Sequence, residues 1–466
     1  MSTKNFFIDL HGCAKNQVDA EIIIGIMKHL GWNNSDSAEN ADLIIVNSCG
    51  FIEPAKKESI NAVIKAKNEN PKAKIILAGC LAQRYAEILK TDLPEADAIF
   101  GNGDLSQLSD VIDALFKKRK SEKRVLTPPQ KGVCGGARPT ILNFPRSAYI
   151  KITEGCNNFC SFCAIPAIRG RLRSRPISEI ISEIKEFIEK GFYEFNLIGQ
   201  DLAVFQTEKS KTGSLSGLAE LLTAISALQG KFIIRLLYIH PDHFPFDILP
   251  VMTRDTRFLL YFDIPFQSGS EKIIKAMNRT GSPEMYLRLS DKIRTAFKYT
   301  NNPYGEPALR TTFLLGFPGE TEEDFTATAA FLKELKPLWS GGFVYSREEN
   351  TPAYSLKNRV PKKTAEKRLA YIKNLQTGIT EKKLEAFIGK TLTIFIEEII
   401  PFDGTAEGSG LALGRAWFQA PEVDGAVVLN FTKDKKDVSG NPVCAGSVVK
   451  ADIIARNGFD LNAVMR

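Results

Sequence analysis

Three apolar runs in the first 80 residues each end in a small residue followed by a cysteine. They are FFIDLHGC, closing at Cys13, ADLIIVNSC, closing at Cys49, and AKIILAGC, closing at Cys80. Strand-like runs at 6–10, 42–46 and 74–78 alternate with helix-patterned stretches at Val18–Leu30, Pro54–Asn68 and Gln83–Lys90. That alternation predicts βαβ units and a parallel sheet. In such a sheet the C-terminal strand ends share one edge, where ligands bind. Three thiolates are expected to converge there. Gly12, Ser48 and Gly79 stand just before the cysteines, so the backbone could approach a bulky inorganic group closely. A single buried cysteine is usually a small hydrophobe; three in phase point to a shared ligand.

The rest of the 466 residues divides by texture. At about 150 residues per domain the length suggests roughly three domains. With 44% apolar and 25% charged residues, disordered, collagen-like and disulfide-scaffold chains are excluded. The first 116 residues form the α/β unit. Residues 117–145 are basic and rich in Gly and Pro at first, lack periodicity and read as a solvated linker. From 146 to 360, strand patterns at 148–153, 194–199, 232–239, 259–264, 308–316 and 341–346 alternate with helices that include 177–190, 270–277 and 321–335. Six βα units predict a barrel or partial barrel with its chemistry at the strand C-termini. Residues 361–387 read as one solvated connecting helix. From 388 to 466, short β-rich runs between Gly, Pro and Asp turns predict a small all-β barrel or sandwich. The expected fold class is therefore α/β, with a C-terminal all-β domain.

The strongest local signal is the CxxxCxxC at Cys156, Cys160 and Cys163, directly after the first barrel strand. Iron–sulfur clusters are held by cysteine thiolates, normally four. Three thiolates leave one iron open to substrate, much as catalytic zinc sites keep a position free. A structural zinc site would need a fourth Cys or His nearby, and none is apparent. Gly199, Gln200 and Asp201 end a barrel strand, where an amide and a carboxylate could hold ribose hydroxyls or an amino group. Gly316–Glu320, GFPGE, reads as a strand–helix turn capped by Thr321. His240 follows a strand but, like His11, His29 and His243, has no metal-ligand spacing. It reads as a structural histidine. Cys134 and Cys444 stand alone and read as bystanders. No GxSxG, Walker A or GxGxxG pattern supports a hydrolase or nucleotide-binding reading.

CxxxCxxC after the first barrel strand, three upstream cysteines and a terminal β unit together resemble the radical S-adenosylmethionine methylthiotransferases. The resemblance spans nearly the whole chain. It implies that Cys156, Cys160 and Cys163 hold the [4Fe-4S] cluster that binds S-adenosylmethionine, and that Cys13, Cys49 and Cys80 hold an auxiliary [4Fe-4S] cluster that handles the inserted sulfur. It also implies a central partial (β/α)6 radical-SAM barrel, a TRAM-like terminal module and an external electron donor such as a flavodoxin- or ferredoxin-like reductase. No motif specifies the sulfur donor. The segments GCAKNQVDAE, NSCGFIEPAKKESI, YFDIPFQSGSEKIIKAMNR, LRTTFLLGFPGETEEDF and YSREENTPAY resemble the branch that modifies the β-carbon of an aspartate in a small-subunit ribosomal protein. Gln267–Ser270, QSGS, has the form common in the other branch, which methylthiolates isopentenyladenosine in tRNA. That is the alternative substrate. A non-catalytic RNA- or ribosome-binding protein with structural metal sites is the alternative of another class.

The formal net charge is +7, yet residues 388–466 carry eight bases and ten acids and stand at −2. RNA-binding modules are normally basic. A slightly acidic module suits a basic protein partner better, so its expected role is recruitment of substrate, with no part in cleavage. The N-terminus lacks signal-peptide features and no run is long enough to span a bilayer. A cytoplasmic setting with reduced thiols is expected.

Overall fold

The computed structural model describes residues 4–116, 125–130, 135–207, 210, 213, 215–300, 302–401 and 409–466. In the first unit, β1 (Asn5–Leu10), β2 (Asn33–Asn34), β3 (Leu43–Ser48), β4 (Lys74–Gly79), β5 (Ala98–Phe100) and β6 (Val125–Leu126) form one parallel sheet in the order β2-β1-β3-β4-β5-β6. The helices are α1 (Ala14–His29), α2 (Glu53–Glu69), α3 (Cys80–Asp92) and α4 (Leu108–Phe116). Side chains alternate across the sheet. Ile44, Val46, Ile75 and Leu77 enter one apolar cluster, and Leu43, Ile45, Ile76 and Ala78 enter the cluster on the other face. Burial on both faces is why these strands read as continuous apolar runs.

The described parts of 117–145 correct the reading of a solvated linker. Val125 and Leu126 pair with Ile99 and Phe100 as the sixth strand. Arg138 is buried, in ion pairs with Glu21 on α1 and Glu183. A buried guanidinium is tolerable only when paired in this way.

The central unit begins with β7 (Ser147–Lys151), the short β8 (Thr153–Glu154), α5 (Ile165–Arg169), β9 (Arg173–Ser174) and α6 (Ile177–Glu189). It continues with β10 (Glu194–Ile198), α7 (Gly217–Ser226), β11 (Ile233–Leu236), α8 (Ile248–Arg254), β12 (Phe258–Asp263), α9 (Glu271–Ala276), α10 (Pro283–Lys298), β13 (Ala308–Leu315), α11 (Glu322–Leu335) and β14 (Trp339–Val344). Six strands form an open parallel sheet in the order β14-β13-β12-β11-β10-β7. This is the expected six-stranded partial barrel. The GFPGE turn is structural. Thr321 and Asp324 form a reciprocal cap on α11, while Glu320 accepts from the Gly316 N–H at 3.0 Å and pairs with Arg368 at 2.7 Å.

Arg368 lies on α12 (Lys362–Glu385). This helix is not the solvated connector its charge suggests. Ile372 and Leu384 are buried, and Thr380 donates to the Leu338 carbonyl at 2.7 Å. After it, β15 (Thr391–Ile400), β16 (Ser409–Arg415), β17 (Val427–Thr432), β18 (Val448–Asn457) and β19 (Asp460–Met465) close a barrel in the order β15-β16-β17-β19-β18. Its core is continuous with that of the central unit.

The small barrel seats against the N-terminal half of the larger barrel's strands. Glu194, the first residue of β10, holds Arg415 through paired contacts of 2.9 and 2.7 Å and Arg235 at 3.3 Å. Trp339, the first residue of β14, donates to the Phe418 carbonyl at 2.6 Å. Tyr261 donates to Asp424 at 2.6 Å, and Phe387 stacks on Phe418 at 4.2 Å. The loop 416–424 thus closes the end of the barrel opposite the C-terminal ends of its strands.

Candidate active site

The first cysteine set lies where the strand pattern predicts. Cys13 follows β1, Cys49 follows β3 and Cys80 opens α3 directly after β4, at one edge of three adjacent strands. Gly12 and Gly79 take φ of +106° and +94°, values only glycine adopts without strain. A Cβ on Gly12 would lie 3.1 Å from the Cys49 Cβ, and one on Gly50 would lie 2.8 Å from Cys80 backbone. The cradle around the thiols is thus built from residues without side chains. Asn16 ties it together. Its amide donates to the carbonyls of His11 and Ser48, each at 2.9 Å, and its Oδ1 faces the Cys80 sulfur at 3.4 Å.

The second set sits in the loop after β7 and β8. The Cys156 N–H donates to the Gly170 carbonyl at 3.1 Å, and the Cys163 N–H donates to the Cys160 carbonyl at 2.9 Å. Phe159 holds φ of +48° inside the motif. Asn158 donates to Asp201 at 2.8 Å.

Burial pushes most of these thiols up, to about 12 for Cys80, about 11 for Cys156 and about 12 for Cys163, and Cys49 also rises. Cys13 moves the other way. Burial opposes the shift, but the charges of Lys15 and Arg169 and the N–H groups of Asn16 and Lys15 hold it below its ordinary value. Cys13 is solvent-accessible. Thiols raised in this way give up their protons to a metal, which makes cluster loading release protons.

The residues present fit iron–sulfur clusters. Six cysteines are free, in two sets that flank one interface, and Gly12, Gly50 and Gly79 let the backbone pack closely around the first set. Among the described residues no three Cys, His, Asp or Glu side chains stand close enough to share one metal ion. Structural zinc needs donors within about 2.3 Å of one point. A four-iron cluster gives each thiolate its own iron, which suits wider spacing.

Between the two sets runs a buried charge network that the sequence reading missed. Arg169, at the end of α5, donates to the Cys80 sulfur at 3.3 Å, to Asn16 at 2.6 Å, to Asp19 at 3.0 Å and to Glu154 at 2.8 Å. Lys151 pairs with Asp19 and, at 2.9 Å, with Glu154. Glu154 also accepts from the Gln200 amide at 2.8 Å. The partners that join the two units, 89 to 153 residues apart, leave no local pattern. On α1 the polar residues Asn16, Gln17, Asp19 and Glu21 are all buried.

The strand-end triplet lies beside the cysteine loop. Asp201 accepts from the N–H groups of Ala203 and His240 at 2.9 and 3.0 Å on one oxygen and from Asn158 on the other. Asp201 therefore orients the cysteine loop, and its second oxygen keeps acceptor capacity. Gln200 Oε1 and Thr153 Oγ1 are buried without a partner, and a Cβ on Gly199 would strike that Thr153 oxygen at 2.1 Å. His240 proves to be near the chemistry, with Nε2 3.8 Å from the Cys160 sulfur. Burial and the Arg279 charge press it down to about 3, so it is neutral. Cys444 is exposed and beside Ser447, away from both sets. Cys134 lies outside the described residues.

Three family models match: an uncharacterized family, UPF0004, over residues 5–101, the Radical SAM superfamily over 150–332 and the TRAM domain over 388–465. The solved radical S-adenosylmethionine methyltransferase of Kitasatospora setae, with tryptophan and an S-adenosylmethionine analogue bound, superposes with a TM-score of 0.55 at 13% identity, covering 86% of this chain and 79% of that one. Fold and cysteine sets thus define a radical S-adenosylmethionine enzyme with an added N-terminal α/β unit. A ribosomal protein uS12 methylthiotransferase of Treponema denticola is 67% identical, covering 98% of this chain and all of the relative. One of Aquifex aeolicus is 37% identical, covering 97% and 94%. The chain belongs to the ribosomal protein uS12 methylthiotransferase family. No helix among the described residues is long and apolar enough to cross a membrane.

Proposed function

We propose that this chain replaces a hydrogen on the β-carbon of an aspartate in ribosomal protein uS12 with a methylthio group. Cys156, Cys160 and Cys163 would hold the [4Fe-4S] cluster that binds S-adenosylmethionine. Cys13, Cys49 and Cys80 would hold a second [4Fe-4S] cluster. When bound, these groups supply a radical able to attack an unactivated carbon and a sulfur to put in its place, chemistry no side-chain acid or base provides. The chain's own residues do the placing. Asp201 fixes the cysteine loop through Asn158, and neutral His240 adds no charge beside Cys160. Gln200 and Thr153 offer unpaired oxygens to the amino or hydroxyl groups of S-adenosylmethionine. A flavodoxin- or ferredoxin-like reductase and a cytoplasmic setting complete the reading.

The observation that carries it is Arg169. It grows from the helix after CxxxCxxC and donates to the sulfur of Cys80 in the other domain, so it ties the segment that follows one cysteine set to a member of the other. A device that fixes two half-ligated sites relative to each other suits a substrate carbon that must meet both. The test is mass spectrometry of uS12 and tRNA after anaerobic incubation with the reconstituted protein, reductant and S-adenosylmethionine. One methylthio group on the uS12 aspartate is expected. A modified tRNA and unmodified uS12 would move the chain to the other branch.

A further inference from the structure

Among the cations where the N-terminal unit meets the catalytic end of the barrel are Arg169, Lys151 and Lys15. Two are saturated. Arg169 has Glu154, Asp19, Asn16 and Cys80, and Lys151 has Asp19 and Glu154. The third, Lys15, lies in the first turn of α1, two residues beyond Cys13. Its ammonium rests 3.6 Å from the centre of the Tyr238 ring. Among the described residues it has no hydrogen bond and no ion pair. The charges that bear on it are those of Tyr238, Cys13, Arg169 and Asp263. Asp263 is already engaged by Arg310 at 3.2 Å. Tyr238 just follows β11 at the catalytic edge and holds φ of +69° without being glycine. Such strain persists only where the surroundings enforce it and clusters at ligand clamps. A cation held by an aromatic face, beside the Cys13 thiol whose ionised form it favours and within the barrel mouth that carries the other set, has no carboxylate partner among the described residues.

We propose that Lys15 receives the side-chain carboxylate of the target aspartate and thereby selects an acid at that position. This rests on the methylthiotransferase reading above. The carboxylate is attached to the carbon that is modified, so a cation beside Cys13 would bring that carbon to the first cysteine set. Tyr238 is the positioning residue that keeps the ammonium from turning to solvent. A charge-assisted hydrogen bond separates an acid from its amide by about tenfold to a hundredfold in affinity.

The experiment measures binding of two uS12-derived peptides, one with the target aspartate and one with asparagine there, to the anaerobically reconstituted full chain. Wild type is expected to bind the aspartate peptide at least about tenfold more tightly. Lys15→Met, which keeps an unbranched apolar stem on Tyr238, should bind both alike with iron and sulfide content like that of wild type. Lys15→Arg should restore part of the preference. A Lys15→Met protein that keeps the wild-type preference overturns the proposal. So does one whose preference vanishes only together with its iron, since Lys15 would then serve the metal site. Failure of wild type to bind or modify the aspartate peptide would instead overturn the methylthiotransferase reading.

Discussion

The barrel meets its two neighbours in different ways. At the catalytic end, its contact with the N-terminal unit sets a buried charge network of Asp19, Lys151, Glu154 and Arg169, and the bridge of Lys56 and Arg84 to Glu348, beside apolar packing of Val18 and Ile22 on the barrel core and of Cys80 and Phe51 on Ala164 and Ile168. At the other end, its contact with the small β barrel is one continuous apolar core, with Trp339, Trp417, Phe418 and Ile394 buried and a few ion pairs set inside it. A polar junction fixes angles and leaves room for charged ligands. An apolar one seals. The two ends therefore differ in what damage should do: loss of chemistry at one, loss of fold at the other.

The largest expected effect lies at the seal. The β module reads from sequence as a recruiter that could be removed without harm to the radical chemistry. Its apolar contact with the barrel argues otherwise. A chain ending at Phe387 would bare Trp339 and leave Arg235 and Glu194 without Arg415 and the Trp417 carbonyl. We expect it to be insoluble or to lack a cooperative thermal transition. A soluble, cooperatively melting protein would show that the seal is dispensable. Glu397 and Asp424 also face inward, against Arg415 and Tyr261, so they are not part of the acidic surface that the charge count suggested.

At the polar end, the effects should fall on chemistry with the fold kept. Replacing Cys156, Cys160 and Cys163 together by alanine should leave about half the iron of wild type and no reductive cleavage of S-adenosylmethionine. Replacing Cys13, Cys49 and Cys80 should keep cleavage and abolish methylthiolation. Iron analysis and product chromatography check both. Total loss of iron in either triple variant would mean that the two sets build one site.

Glu194 sharpens the comparison within the seal. It is fully buried between Arg415 and Arg235. Glu194→Ala leaves Arg235 without a carboxylate and Arg415 with Glu397 alone, and breaking a buried pair costs about 3–5 kcal/mol. Burial alone would raise this carboxyl, but the charge and hydrogen bonds of Arg415, with Arg235 behind it, hold it well below the usual carboxylate range. A folded-state value below the unfolded one means the stabilisation is complete above the unfolded value of about 4.3 and is lost as the pH falls through the folded one. The difference in melting temperature between wild type and Glu194→Gln should be constant from neutrality to about pH 5 and shrink only in stronger acid. A difference that shrank near neutrality would show that the pair is not held as described.

Much of this was legible in the sequence because backbone and ligand pattern coincide. Each cysteine of the first set ends an apolar run, so strand and ligand announce each other, and CxxxCxxC follows β7 within a few residues. What was not legible is side-chain pairing across the chain. Arg138 with Glu21, Arg169 with Cys80 and Arg415 with Glu194 lie 117, 89 and 221 residues apart. One trace was available. The run Ala416–Ala420, AWFQA, puts two aromatics in a connection between strands, where an independent small barrel would carry polar residues. Apolar residues in a loop have to be covered by something, and here the barrel covers them. The positively charged start of 117–145 misled because its described remainder owes its place to β5 pairing and to Arg138, neither of which shows as periodicity.

The smallest effect is expected at the rim of the seal, and it decides what holds the β module in place. Arg456 on β18 pairs with Glu381 at 2.9 Å and with Glu385 at 3.3 Å on α12. Both glutamates are substantially exposed, so water screens the attraction and the side chains lose freedom to make it. Arg456→Ala should therefore lower stability by less than about 1 kcal/mol, and added salt should erase the difference. Beneath this rim Phe387 stacks on Phe418 and Leu384 is fully buried. Leu384→Ala opens a cavity there and should cost about 2–5 kcal/mol whatever the salt. The paired melting curves at low and high salt separate the two contributions. If Arg456→Ala matched Leu384→Ala in size, charge would be holding the module, and the contrast between a polar and an apolar end of the barrel would fail.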